Sequence, residues 1–150
     1  MHFHIKTLSS SFLLIFCFFS LNSYRKRSIK IPEYDFATHT RTVRAVEFYP
    51  GDIILIEGIM LFWDDRIREQ LDYKIYLKLD SDVRFGRRLK RDMDERGRTL
   101  NSVFDQYFST VKPMFDKYVE PKKKYADAII NGDDAHSFII SVENFLNSIQ

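Results

Sequence analysis

The stretch KIYLKLDSDVRFGRRLKRDMDERGR, residues 74 to 98, decides the fold. Its opening, KIYLKLD (74–80), alternates apolar and polar side chains and is rich in β-formers, which predicts a sheet strand. Ser81 or Asp82 then supplies a helix N-cap, and Phe85, Leu89 and Met93 recur every four residues along one helical face. Gly97 marks the end of that helix.

The same alternation continues on both sides. IILIEG (53–58) is a continuous apolar run closing on an acid and a glycine, the mark of a buried parallel strand. VRAVEF (43–48) reads as a strand followed by a turn at Tyr49-Pro50-Gly51-Asp52, and DRIREQL (65–71) as a short helix. A longer helical pattern runs through Leu100, Val103, Phe104, Tyr107, Val111, Met114, Phe115 and Tyr118, and Pro113 should kink or divide it. ADAII (126–130) is a third short strand with a turn, NGDD, behind it. The last helix, from Ala135, is expected to bury Phe138, Ile139, Val142, Phe145, Leu146 and Ile149. Strands alternating with helices predict an α/β fold, a mostly parallel sheet flanked by helices. Ligands of such sheets bind at the carboxyl ends of the strands, where Glu57, Asp80 and the loop after Ile130 fall.

The 150 residues, 45% hydrophobic and 15% aromatic, suit one folded domain and exclude a disordered chain. A net charge of +2 excludes a general polyanion binder. Basic charge is local: Arg84 to Arg98 holds seven Lys/Arg against three Asp/Glu, so the remainder carries about −2. The single cysteine, Cys17, forms no intramolecular disulfide.

Near the amino terminus, FLLIFCFFSL (12–21) is apolar but half the roughly 20 residues that a bilayer requires. It has the length of a signal-peptide core, yet only Lys6 precedes it and LNS is a poor cleavage site. Secretory signal, weak membrane anchor and replaced amino-terminal segment all remain open readings.

Three constellations carry chemistry. In RRLKRDMDERGR (87–98), Arg84, Arg87, Arg88 and Arg91 fall on one helical face, and their planar forks suit phosphate oxygens. The run reads either as a solvated helix, with Asp92, Asp94 and Glu95 making intrahelical ion pairs, or as an anion lid closed by Arg96 and Arg98 around Gly97. The interleaved acids weigh against nucleic acid. Glu57 ends a buried strand, a costly place for a carboxylate unless it is paired, reaches solvent, or helps to hold Mg²⁺ as in P-loop phosphotransferases. PEYDFATHTR (32–41) mixes an aromatic, an acid, a histidine and an arginine: either ordinary surface or a stacking and edge contact for a nucleobase. PKKKYAD (121–127) reads as a solvated turn.

Taken in order, IPEYDFATHTR, GDIILIEGIMLFWDDRIREQL, RRLKRDMDERGR and KKKYADAII resemble the uridine kinase (uridine–cytidine kinase) family, over residues 28–149 with no large gap. The resemblance implies a P-loop kinase-like α/β fold with an Arg-rich helical lid. It also implies transfer of the γ-phosphate of ATP, or GTP, to the 5′-hydroxyl of uridine or cytidine with Mg²⁺, a pyrimidine salvage reaction. By matching positions, Tyr34 and His39 become nucleoside base contacts, and Arg88 and Arg98 with Gln106 become nucleoside and phosphate contacts. Arg91 and Arg96 join Arg88 in the lid, Glu57 helps to hold Mg²⁺ directly or through water, and Asp134 becomes an ATP-side contact. The implied setting is cytoplasmic, away from nucleic acid and membrane, in a homo-oligomer or paired with a complete kinase.

The departure is as informative. The family's GxxxxGK[ST] loop occurs nowhere in the 150 residues, and its general-base aspartate has no counterpart before Ser28. The expected organisation is a replaced or signal-like hydrophobic segment over 1–27 and a uridine kinase-like domain over 28–150. That domain would lack the amino-terminal P-loop strand and helix and leave an apolar sheet edge uncovered. Impaired catalysis follows from that expectation, or service as a non-catalytic nucleoside-binding partner of a complete kinase.

Overall fold

A computed structural model describes residues 15–19, 28–35, 40–49 and 54–149. In chain order the strands are β1 (Ile15–Phe19), β2 (Ile29–Asp35), β3 (Thr40–Phe48), β4 (Ile54–Glu57), β5 (Tyr73–Lys78) and β6 (Ala128–Asn131). The α-helices are α1 (Asp65–Arg68), α2 (Ser81–Asp94), α3 (Leu100–Gln106), α4 (Lys112–Met114) and α5 (Ala135–Ser148).

The main sheet has the order β4-β1-β5-β6. β5 and β6 pair in parallel, from Ile75 opposite Ala128 to Lys78 opposite Asn131. β1 pairs antiparallel with both neighbours, placing Phe16 between Glu57 of β4 and Ile75 of β5. β4, β5 and β6 therefore share one direction and β1 alone opposes it. This corrects the expectation of a mostly parallel sheet, since two of the three described pairings are antiparallel. Between β4 and β5 stands the apolar run IFCFF, whose continuous hydrophobicity suits an interior strand. A gap between two co-directional strands offers backbone donors and acceptors to an inserted strand of either direction.

β2 and β3 form a separate antiparallel pair whose register shifts between Pro32 and Tyr34. Proline cannot donate to a ladder, so the irregularity falls where Pro32 interrupts the donors. Only the second of these strands was legible from periodicity; the proline hid the first.

Ile75 and Tyr76 are adjacent and both completely buried, which requires cover on both faces of β5. On one face Tyr76 packs with Phe62, Leu71 and Val119, and its hydroxyl donates to Glu120 Oε2 at 2.7 Å. On the other, Ile75 and Ile130 meet Phe138, Val142 and Phe145 of α5. Tyr73 stacks on Phe145 with ring centroids 4.6 Å apart and shares a 2.9 Å hydrogen bond with Ser141. Only that stripe of α5 turns inward: Ile139 and Ile149 are exposed, contrary to expectation, because α5 packs on one sheet face and nothing described covers its other side.

Pro113 does not divide its helix. Chain direction is kept from α3 through π-helical turns at Tyr107–Val111 and Phe115–Val119, which flank α4. Wider turns on either side accommodate a residue with no N–H to give. α2 starts at Ser81 with Asp80 in the cap position. Among the described residues, no helix is long and apolar enough to cross a membrane.

Candidate functional site

The site is assembled where α2 meets α3. Phe85 of α2 packs against Tyr107 and Phe104, centroids 4.6 and 5.9 Å away, and the Tyr107 hydroxyl donates to the Ser81 carbonyl at 3.1 Å. These contacts lay the start of the long helix along α2. The connection reverses at Gly97, whose φ of 61° is left-handed, and the Arg98 N–H then donates to the Asp92 carbonyl at 3.0 Å. Thr99 caps α3 by accepting from Ser102 N–H at 3.3 Å.

This turn folds the basic run onto itself. Asp92 has no exposed surface, and four guanidiniums surround its carboxylate: Arg91 at 2.6 Å, Arg88 and Arg96 at 3.4 Å, and Arg98 at 3.7 Å. Arg91 contributes the short bonds, donating from Nε at 2.9 Å and from Nη2 at 2.6 Å to Oδ1. Gln106 joins from α3: its Oε1 accepts from Arg88 Nη2 at 2.7 Å and also from Arg98 Nη1. Arg98 Nη2 reaches Ser102 Oγ at 2.8 Å. Burial pushes Arg88 below its ordinary value; Asp92 opposes that shift, while Arg91, Arg98 and Arg96 add to it. Four cations around one carboxylate leave a local surplus of three positive charges.

The expected single face of Arg84, Arg87, Arg88 and Arg91 splits into three destinations. Arg88 and Arg91 turn inward to Asp92. Arg84 stacks over Phe115, 3.7 Å from the ring centre, and donates to the Leu79 carbonyl at 3.2 Å. Arg87 pairs with Asp133. Helical spacing alone put the four together; the different neighbours packed along α2 separate them.

Beside the arginines lies an apolar cavity of about 400 Å³. Ile59 and Met60, just beyond β4, form one wall, Tyr107, Val111 and Met114 another, and Arg84 and Arg88 reach its rim. Glu57, half-buried at the carboxyl end of β4, is two residues from that wall. A second, polar cleft of about 370 Å³ lies beyond β5 and β6, with Lys78, Asp80, Asn131 and Asp133 in its lining. Asp134 caps α5, accepting from Ser137 N–H at 2.9 Å and from Ser137 Oγ at 2.5 Å, and those bonds hold its carboxyl below the usual range. Tyr34 sits in β2 opposite Arg41. Its side chain, and all of His39, lie outside the described residues.

Arg88, Arg91, Arg96, Arg98 and Gln106 are thus in one cluster. Asp92 is the member that sequence reasoning missed, having been read only as an intrahelical pair. Its i, i+4 spacing from both Arg88 and Arg96 was the available signal.

The model of the phosphoribulokinase / uridine kinase family matches residues 11–135. The chain belongs to this family. Among its relatives, a uridine kinase of Lactobacillus helveticus is 49% identical over 105 residues, 70% of this chain and 50% of the relative. Uridine kinases of Borrelia garinii (43% over 131 residues, 86% and 64%) and Macrococcus caseolyticus (42% over 116 residues, 77% and 56%) are similar. The chain spans between half and 64% of the length of these family members. Among the described residues, no group of three or more His, Cys, Asp or Glu side chains could hold a metal.

Proposed function

We propose that the chain carries the nucleoside-binding part and the lid of a nucleoside kinase that phosphorylates uridine or cytidine at the 5′-hydroxyl, using ATP or GTP. The observation that carries this reading is the fan of Arg88, Arg91, Arg96 and Arg98 around the buried Asp92, with Arg88 also lining an apolar cavity wide enough for a nucleoside. Relatives named uridine kinase, alike over most of this chain, support it.

In the reaction the 5′-oxygen bonds to the γ-phosphorus, the bond to the β–γ bridging oxygen breaks, the diphosphate leaves, and the hydroxyl proton passes to a base. Arg88, Arg91 and Arg96 take the charge that develops on the transferred oxygens and exclude water. Arg98 and Gln106 orient the nucleoside, with Tyr34 and His39 against its base. Glu57 would hold Mg²⁺, directly or through water, and the bound ion would neutralise phosphate charge. Asp134 serves the nucleotide side while capping α5.

No GxxxxGK[ST] occurs among these 150 residues, which favours slow turnover by this polypeptide alone. Losing the base on its own removes a factor on the order of 10²–10⁴. The same observation favours a second reading, a non-catalytic partner that binds nucleoside beside a complete kinase. A coupled ATP/uridine assay and uridine calorimetry on the purified chain separate the two. Uridine binding without turnover supports the partner; slow turnover supports the impaired kinase; neither signal overturns both.

A further inference from the structure

We infer that Asp92 is the positioning residue of the arginine lid, holding Arg88, Arg91, Arg96 and Arg98 in one fan whose surplus charge grips a polyphosphate. The inference rests on the proposed phosphate-binding role of the lid and adds the group that builds it.

Asp92 is completely buried at the end of α2, and the four arginines reach it from both sides of the Gly97 reversal. Guanidiniums this close repel one another strongly where water is scarce, and the carboxylate at their centre is what offsets that repulsion. Its two oxygens serve different ends. Oδ1 takes both short bonds from Arg91 and so locks that side chain. Oδ2 faces Arg88 at 3.4 Å and Arg98 at 3.7 Å, so its charge draws these two toward the same centre. The backbone completes the arrangement, since the Asp92 carbonyl accepts the Arg98 N–H. One residue thus sets Arg98 through both main chain and side chain. The matching ligand has several phosphoryl oxygens and two or more negative charges, as the terminal phosphates of a nucleoside triphosphate do.

Coulomb attraction and positioning predict opposite signs. By charge alone, Asp92→Asn makes the site more positive and tightens anion binding. If Asp92 positions the fan, the same change weakens binding by on the order of tenfold to a hundredfold, the loss expected when charge-assisted hydrogen bonds go. The test is calorimetric titration of the full chain with inorganic triphosphate. A charge-balanced pair, Arg96→Gln and Asp92→Asn/Arg96→Gln, repeats the comparison with less repulsion should Asp92→Asn fail to fold. Nitrogen-15 spectra of the arginine Nε–H groups, without triphosphate, give an independent readout. We expect wild type to bind, each Asp92→Asn variant to bind more weakly than its parent, and dispersed Nε–H signals to collapse in the variants. Equal or tighter binding by the variants, when wild type binds, overturns the positioning role alone. If wild type does not bind triphosphate, the phosphate reading falls and the Nε–H spectra judge Asp92: collapse in the variants keeps its role, and unchanged spectra end it.

Discussion

Gln106 Oε1 accepts a hydrogen bond from Arg88 Nη2 at 2.7 Å, linking α3 to α2 across eighteen residues of chain. Because the same oxygen also accepts from Arg98, one neutral side chain ties both ends of the arginine cluster together. An amide suits this position: it orients two cations without cancelling the charge that an anion would meet.

Replacing Gln106 by Leu removes the shared acceptor. A loss of about 1–3 kcal/mol in stability is expected, the usual consequence of taking one partner from part-buried charged donors, read by urea denaturation. Gln106→Glu should act oppositely on the two properties, stabilising the free chain while weakening triphosphate binding in calorimetry. Parallel changes in both would refute the charge argument.

Gly97 and Gly132 should fail for different reasons. A Cβ at Gly97 meets nothing within 4 Å, so Gly97→Ala carries only the left-handed backbone cost, about 1–2 kcal/mol, and Gly97→Asn less. At Gly132 a Cβ would lie 2.8 Å from Leu79 Cγ, and overpacking of about 1–3 kcal/mol is expected. Trimming the neighbour with Leu79→Ala should relieve the second strain and leave the first untouched, as paired denaturation curves would reveal.

Acid should weaken the Tyr76–Glu120 contact. Burial raises the Glu120 carboxyl, but hydrogen bonds from Lys123 and Tyr76 outweigh it and hold the group below its ordinary value of 4.5. A depressed folded value means that the contribution is complete above 4.5 and fades as pH falls through the folded value. Burial, then the bond to Glu120, drive the Tyr76 hydroxyl far upward, so it remains a donor throughout that range. Thermal midpoints measured from neutral pH downward should fall more steeply below 4.5 for wild type than for Glu120→Gln.

Filling the apolar cavity should separate the two halves of the site. Val111→Trp projects bulk into the space beside Met114 and Tyr107. Uridine binding by calorimetry should be lost while triphosphate binding persists, because of the four arginines around Asp92 only Arg88 lines the cavity. Loss of both would place the two ligands in one shared space.

Features set by near neighbours were legible in the sequence. The strand at KIYLKLD, the helix that carries Phe85, Leu89 and Met93, and Gly97 as a stop all reappear in β5, α2 and the reversal behind α2, although β5 is covered on both faces and Met93 is exposed. Each follows from local stereochemistry that a few residues specify. The order of motifs likewise pointed to Arg88, Arg91, Arg96, Arg98 and Gln106, which do meet.

The remainder depended on distant contacts. Whether Arg84 joins the other arginines turned on Phe115, which waits thirty-one positions along the chain and takes that guanidinium onto its ring. Strand direction behaves the same way: IFCFF reads as apolar in either direction, and only pairing with β4 and β5 gives β1 its antiparallel sense. Asp92 makes the point most sharply. Spacing offers it as one more solvated ion pair on a charged helix. The chain reversal at Gly97 and the packing of α2 against the following helix remove it from water, and burial among four guanidiniums turns an ordinary carboxylate into the centre of a charged cluster.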